Sequence, residues 1–158
     1  MTMPGGDAIL RQHDLRRLRL GTFCAEPVSA DVQRWASKHL ATPFLNSYWA
    51  TEHGSIIMSR HPCGKYEPNA RCWPLPWVKA SVALAADETL GDFVLRAPYA
   101  GLARTIFGGL GNYGASTWRG NLALFKTTYF PDNVSNTYTF MQGDAARACD
   151  HGFTFHGR

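Results

Sequence analysis

The sequence has no apolar run approaching the roughly 18 residues that a membrane-spanning helix needs. Residues 1–14 carry no apolar stretch of the kind that heads a secretory signal. Together these absences argue against a helical membrane protein and make a cytoplasmic location the expectation. Internal repeats and low-complexity tracts are missing too, which excludes a solenoid or a fibrous chain. Cysteine is scarce: Cys24, Cys63, Cys72 and Cys149 stand at no paired-motif spacing. The expectation is reduced thiols rather than zinc ligands or a disulfide framework. Charged residues are few, at 18% against 45% apolar, so a packed core is available and wholesale disorder is excluded. The net charge is +4 and the densest basic cluster is Arg11, Arg16, Arg17 and Arg19. No RNA- or DNA-binding motif accompanies it, and it reads as a solvated face or one covered by a partner, not a nucleic-acid footprint.

What is present fits one domain of ordinary size in 158 residues. Residues 1–14 are polar, with Gly5-Gly6, and read as a frayed lead-in. Residues 15–24 alternate, with Leu18 and Leu20 on one face and Arg17 and Arg19 on the other, which predicts a strand. Ser29 is placed as a helix N-cap with Asp31 in the first turn. Val32, Trp35, Ala36 and Leu40 then recur at helical spacing, so a helix is expected to about 39. A strand over 43–47 follows, and the short connections favour a parallel pair. Beyond Gly54 the pattern changes. Strands are expected at 55–58, 78–85 and 93–96, with a proline-broken loop over 61–76 and a turn over 87–91. A helix over 117–129 would put Trp118, Leu122, Phe125 and Tyr129 on one face. Residues 138–142 and 152–156 read as a closing hairpin, with Phe153 and Phe155 on one side. The fold class is therefore α/β: a strand–helix–strand layer of a Rossmann-like subdomain, followed by a small antiparallel β-barrel.

Two motifs invite chemistry and have plainer readings as loop and turn; the first leaves a Rossmann oxidoreductase that binds NAD as a rival reading. Gly109-Leu110-Gly111-Asn112-Tyr113-Gly114 matches the dinucleotide fingerprint, but that site must follow a strand and open a helix inside a βαβ unit. Here Asp132 lies in a Pro-Asp-Asn loop and the neighbouring pattern is antiparallel. Asp150-His151-Gly152 with His156 lacks a third metal ligand at sensible spacing. The stretch Asn46-Ser47-Tyr48-Trp49-Ala50-Thr51-Glu52-His53-Gly54 says more. Thr51 offers a hydroxyl to a phosphate oxygen, Glu52 a hard oxygen suited to Mg²⁺ beside phosphates, and Tyr48 and Trp49 flat apolar walls. The same residues also read as two core aromatics and a solvated acid.

Four segments in order resemble the signature of the adenylate-forming enzymes: Ala25-Glu26-Pro27, Tyr48-Trp49-Ala50-Thr51-Glu52, Gln142-Gly143-Asp144 and Gly157-Arg158. More narrowly the chain is similar to the AMP-forming synthetases of acetyl-, propionyl- and 3-hydroxypropionyl-CoA, and to the ligase part of propionyl-CoA synthase. The likeness runs from about residue 18 to the last. It includes Pro74-Leu75-Pro76, Gly91-Asp92-Phe93-Val94-Leu95 and Tyr129-Phe130-Pro131. It departs at Ala25, where the family has Gly, and at Gln142, where it has Thr.

The resemblance implies roles. Ala25, Glu26 and Pro27 match the segment lining the adenine. Asn46, Ser47, Tyr48, Trp49, Ala50 and Thr51 match the loop flanking adenine and acyl group, with Thr51 toward the α-phosphate. Glu52 matches the Mg²⁺-associated acid, and Trp49 the wall that shortens the acyl pocket. Asp144 matches the carboxylate that accepts both ribose hydroxyls, as an ionised carboxylate can. Arg158 matches the guanidinium on the ribose side. The implied substrates are ATP, a short carboxylic acid and coenzyme A, with Mg²⁺. The family's Ser/Thr/Gly-rich phosphate loop with its Lys is not visible in residues 1–17, and the chain stops where the family's hinge to a mobile C-terminal domain begins. The expected organisation is a lead-in over 1–16, a nucleotide-binding layer over 17–58 and a barrel-like part over 59–158. The chain is expected to be part of such a ligase, inactive alone, with the missing remainder as a partner and no confident catalytic residue of its own. The other reading is a non-catalytic nucleotide-binding or interaction module derived from that fold. A chain cut from a larger sheet should also expose apolar surface and self-associate.

Overall fold

The computed structural model describes residues 5–24, 26, 28–40, 43–60, 71–83, 89–108, 120–131, 138–150 and 152–157. Among the described residues it holds a mixed sheet, an antiparallel sheet, three α-helices and a short 3-10 helix. Strand β1 (Gly21–Phe23), helix α2 (Ala30–Leu40) and strand β2 (Phe44–Tyr48) follow the short lead-in helix α1 (Gly6–Leu10). β1 and β2 are parallel, with Thr22 opposite Leu45, as the strand–helix–strand reading expects. α2 starts where its cap predicts: the Val32 amide donates to Ser29 Oγ at 3.4 Å. Asp31 lies in its first turn and Lys38 and His39 in its last, the charge order that suits the helix dipole.

Several boundaries move. β1 is only the end of the strand expected over 15–24, and Leu18 and Leu20 are exposed. The reason lies in β2. The last bond of the pair runs from the Gly21 amide to the Pro43 carbonyl, and Pro43 has no N–H to extend the ladder. The lead-in is not frayed throughout, because α1 docks on α2. The Trp35 indole donates to Asp7 Oδ1 at 3.0 Å, and His39 Nδ1 lies 3.6 Å from the same oxygen.

The first sheet has the order β1-β2-β3-β4, with β3 (Met58–Ser59) and β4 (Trp73–Pro74) added antiparallel. β3 begins three residues later than the apolar run suggests, because a turn and Gly54 occupy the chain first. β4 forms inside the expected loop; Pro74 is tolerated there on an edge strand. The second sheet, β5 (Ala80–Ala83), β6 (Gly91–Leu95), β7 (Phe140–Cys149) and β8 (Gly152–Phe155), is antiparallel throughout. This is the small antiparallel unit read from the sequence. The closing hairpin exists, but β8 pairs with Ala146–Cys149; Phe140 and Met141 pair with β6 instead. Helix α3 (Leu122–Tyr129) is capped by Asn121, whose Oδ1 accepts from the Leu124 amide at 2.9 Å. Its buried contact is Phe125, while Leu122 is half exposed, so the expected apolar face begins a turn late. Phe125 and Tyr129 pack on Phe140 of β7, with Tyr129 and Phe140 stacked at 5.1 Å.

The sheets share one core. Ile57 and Met58 from the first pack with Phe93, Leu95, Phe140 and Phe153 from the second. Cys72 and Phe153 exchange two backbone hydrogen bonds, 2.9 and 2.8 Å, across the seam. Cys72 is fully buried, and burial pushes its thiol up to about 12. It is an inert core residue. Cys24 is an exposed thiol and Cys149 a half-buried one, and Cys63 lies outside the described residues. None of the described helices is long and apolar enough to cross a membrane.

Candidate functional site

The parallel arrangement of β1 and β2 puts their C-terminal ends side by side, where α/β proteins gather ligand-binding loops. β2 carries Asn46, Ser47 and Tyr48, so these three belong to the strand and not to the loop after it. Alternation sends Ser47 and Tyr48 to opposite faces. Ser47 is buried, with its Oγ 3.1 Å from Ser59 Oγ, a sheet-bracing contact. Tyr48 points to the second sheet. Its ring stacks on Phe155 at 3.6 Å between centroids and meets Phe93 edge-on at 5.2 Å.

The Tyr48 hydroxyl donates to Asp144 Oδ2 at 2.6 Å, joining residues 96 positions apart. The Gln142 amide donates to the same Oδ2 at 3.0 Å and also to the Tyr48 hydroxyl. Gln142 and Asp144 reach Tyr48 because β7 bulges here. Val94 faces Met141 and Asp92 faces Ala145, so β7 spends four residue steps where β6 spends two. Gly143, at φ +87°, turns the bulge. A bulge of this kind re-aims side chains next to a site.

After Tyr48 the chain makes a 3-10 turn, Thr51–His53, closed by Gly54 at φ +67°. Trp49 and Thr51 are exposed on it, Ala50 and Glu52 half-buried, and His53 fully buried. The Glu52 carboxylate is held by Tyr129 of α3, whose hydroxyl donates to Oε1 at 2.9 Å. The Glu52 carbonyl accepts from the Ala103 amide at 2.8 Å. His53 faces inward, its ring edge-on to Tyr48 and tilted against Phe140. Its Nδ1 accepts from the Ala50 amide at 3.0 Å, and its carbonyl accepts from the Tyr99 hydroxyl at 2.7 Å. Burial pushes the imidazole down to about 4, against the opposing pull of the Gln142 carboxamide and the Glu52 and Asp144 carboxylates. Burial also pushes the Tyr99 phenol up to about 12, with the nearby Tyr138 adding to it.

The site residues expected from sequence fall into three groups. Tyr48 and Asp144 are brought together directly, and Trp49, Ala50, Thr51 and Glu52 follow Tyr48 on the adjoining turn. Glu26 is exposed just past β1, whose Phe23 lies opposite Asn46. Ala25, Pro27 and Arg158 lie outside the described residues, as do the glycine run over 109–114, Asp132 and His151. Gly157 stands at the edge of the same place: its carbonyl accepts from the Ala145 amide at 2.7 Å. Among the described residues no group of three or more His, Cys, Asp or Glu side chains could hold a metal ion.

The structure also gives contacts to residues that the sequence reading left without a role at the site. His53 reaches back to the amide three residues earlier, a pattern legible in a capping box. Gln142 stands beside Asp144 in the signature, and the bulge between them turns both toward Tyr48. Tyr129 had no local signal, being 77 positions from Glu52.

No protein-family model matches the chain. Curated relatives do. The acetyl-coenzyme A synthetase of Mycolicibacterium smegmatis is 29% identical over 157 residues, covering 90% of this chain and 15% of the relative. That of Bacillus subtilis is 25% identical over 164 residues, covering all of this chain and 26% of the relative. Among solved structures, an anthranilate CoA ligase in complex with anthranoyl-AMP superposes with a TM-score of 0.69 at 19% identity, over 99% of this chain and 27% of the ligase. The chain resembles part of an AMP-forming acyl-CoA synthetase. A benzoate CoA ligase from Burkholderia xenovorans gives the same fold, with a TM-score of 0.64 over 89% of the synthetase-like chain and 26% of that ligase. The synthetase-like chain spans roughly a quarter or less of these relatives, between 15% and 26% for the two named synthetases.

Proposed function

We propose that this chain supplies the adenosine side of an acyl-adenylate site in a ligase that activates a short carboxylic acid with ATP and passes it to coenzyme A. The observation that carries the reading is the Tyr48–Asp144 hydrogen bond at 2.6 Å, which ties the end of β2, just before the turn, to the β7 bulge. On this reading Asp144 accepts the vicinal ribose hydroxyls, in exchange for its Tyr48 contact, and Tyr48, Trp49 and Ala50 flank the base and the acyl group. Thr51 donates toward the α-phosphate. Glu26, with Ala25 and Pro27, lines the base, and Arg158 holds the ribose side. Asn46 and Ser47 act through the strand rather than by touching ligand. Exposed Trp49 closes the acyl pocket by overlap, which favours acetate, propionate or 3-hydroxypropionate over longer acids.

Glu52 fits a Mg²⁺ held mainly by phosphates and water, since it offers one hard carboxylate braced by Tyr129 rather than a full cage. Bound there, the ion would neutralise phosphate charge. In the reaction proposed for the whole ligase, a carboxylate oxygen bonds the α-phosphorus and the bond to pyrophosphate breaks. The thiol of coenzyme A then bonds the acyl carbon and AMP leaves. This chain's share is positioning and charge stabilisation. Alone it is read as a nucleotide binder without turnover, and acetate-dependent AMP formation by the purified chain would refute that.

The test is calorimetric titration with ATP and with 2′,3′-dideoxy-ATP. The wild-type chain should prefer ATP, and Asp144→Asn should lose about tenfold or more and show no preference, since charged hydrogen bonds are worth about 1.5–3 kcal/mol. Equal binding of the two nucleotides by the wild type sinks the assignment.

A further inference from the structure

The His53 side chain touches the turn, the β2 aromatic Tyr48 and Phe140 of the second sheet at once. It is fully buried and it follows Glu52 directly. Its two ring nitrogens are in different situations. Nδ1 accepts the Ala50 amide at 3.0 Å, so in the neutral ring the proton resides on Nε2. Nε2 is buried without a hydrogen bond of ordinary geometry among the described residues, and the Gln142 carboxamide is the polar group beside the ring. An imidazole is costly to bury among apolar rings. A Leu or Phe would fill the space without that cost, so packing alone does not explain an imidazole here. What an apolar side chain cannot supply is the acceptor for the Ala50 amide, which begins the turn that carries Thr51 and Glu52.

We propose that His53 is a positioning residue: its Nδ1 holds the Ala50 amide and thereby fixes the Thr51–Glu52 turn against Tyr48. The consequence for nucleotide rests on the function proposed above; the local lock does not. Two further bonds hold the turn from outside, Tyr99 to the His53 carbonyl and Ala103 to the Glu52 carbonyl. The Ala50 amide, by contrast, has no backbone acceptor, because the turn's own bonds run from His53 to Ala50 and from Gly54 to Thr51. The side chain is therefore the only lock on the entrance to the turn among the described residues. The titratable groups facing it are Tyr48 from β2, Glu52 from the turn and Asp144 from β7, with Tyr99 on its carbonyl.

Three readouts test this on the full chain. Nitrogen-correlated NMR of the wild type should show the Nε2-protonated tautomer. A ring protonated on Nδ1 at neutral pH overturns the proposal without any variant. In hydrogen exchange, His53→Leu should speed the Ala50 amide at least tenfold while the Phe93 and Phe140 amides keep their protection, and His53→Asn, whose carboxamide oxygen can accept the same bond, should restore most of it. An Ala50 amide equally protected in His53→Leu overturns the lock. ATP titration then separates the two ideas. If the lock is confirmed and wild type binds no ATP, the nucleotide reading fails and the positioning role stands. If wild type binds, His53→Leu should weaken ATP at least fivefold with His53→Asn nearer to wild type, and equal affinity in both variants overturns the link to the site.

Discussion

At His53 desolvation outweighs two nearby carboxylates, and that balance has a pH signature. The ring titrates near 6.5 in the unfolded chain and about 4 in the fold. Above 6.5 neither state takes up the proton, so nothing is lost. As pH falls from 6.5 toward 4, the unfolded chain binds a proton that the buried ring refuses, and stability drops by roughly 3 kcal/mol at the acid end. Urea melts at about pH 7 and about pH 4.5 should show that loss, with His53→Asn losing less over the same interval because it has no imidazole to charge. A variant that follows the wild-type curve through this window would contradict the burial argument. None of this was legible from spacing. A His after Glu can be a surface residue, and only the sheet packed over it decides that it is buried. Glu52, by contrast, was readable as a hard oxygen at a turn, and its tether to Tyr129 was not.

Between residue and molecule, the two decisive elements are a turn and a bulge, each hinged on glycine. Gly54 closes the turn at φ +67°, and a Cβ there would collide with the Gly101 carbonyl oxygen. Gly143 turns the bulge at φ +87°, with open space where a Cβ would go. The left-handed conformation costs a non-glycine residue about 1–2 kcal/mol. Gly143→Ala should therefore lose about that much, and Gly54→Ala distinctly more, roughly 2–4 kcal/mol once the backbone collision is added. Chemical denaturation of both variants checks the order, and equal losses would mean that the Gly101 contact relaxes freely. Turn and strand positions nearby were largely readable: α2, the parallel β1–β2 pair and β6 follow from periodicity. The bulge was not, because the sequence of β7 alone does not say which of its residues lack partners on β6.

For the molecule as a whole, the mixed sheet ends at β1, which pairs only with β2 among the described strands. Leu18 and Leu20 lead into that strand and are 39% and 40% exposed. An unpaired edge beside exposed apolar side chains favours self-association. In sedimentation velocity the chain should show concentration-dependent association, reduced by Leu18→Glu with Leu20→Glu. A monodisperse monomer at high concentration would remove the argument.

The sequence by itself determined the local pieces: a capped amphipathic helix between two parallel strands, a later set of antiparallel strands, and an ordered set of residues resembling adenylate-forming ligases. Those signals are short-range, since capping, alternation and turn chemistry act over a few neighbours. Only the tertiary structure decided that Tyr48, Gln142 and Asp144 form one hydrogen-bonded group, that Tyr129 braces Glu52, and that His53 is buried beneath them. These contacts join separate strands and helices, and they depend on how β7 is offset against β6 and how the two sheets meet at Cys72 and Phe153. That register is set by the packing of the shared core as a whole, which no single stretch of the chain encodes.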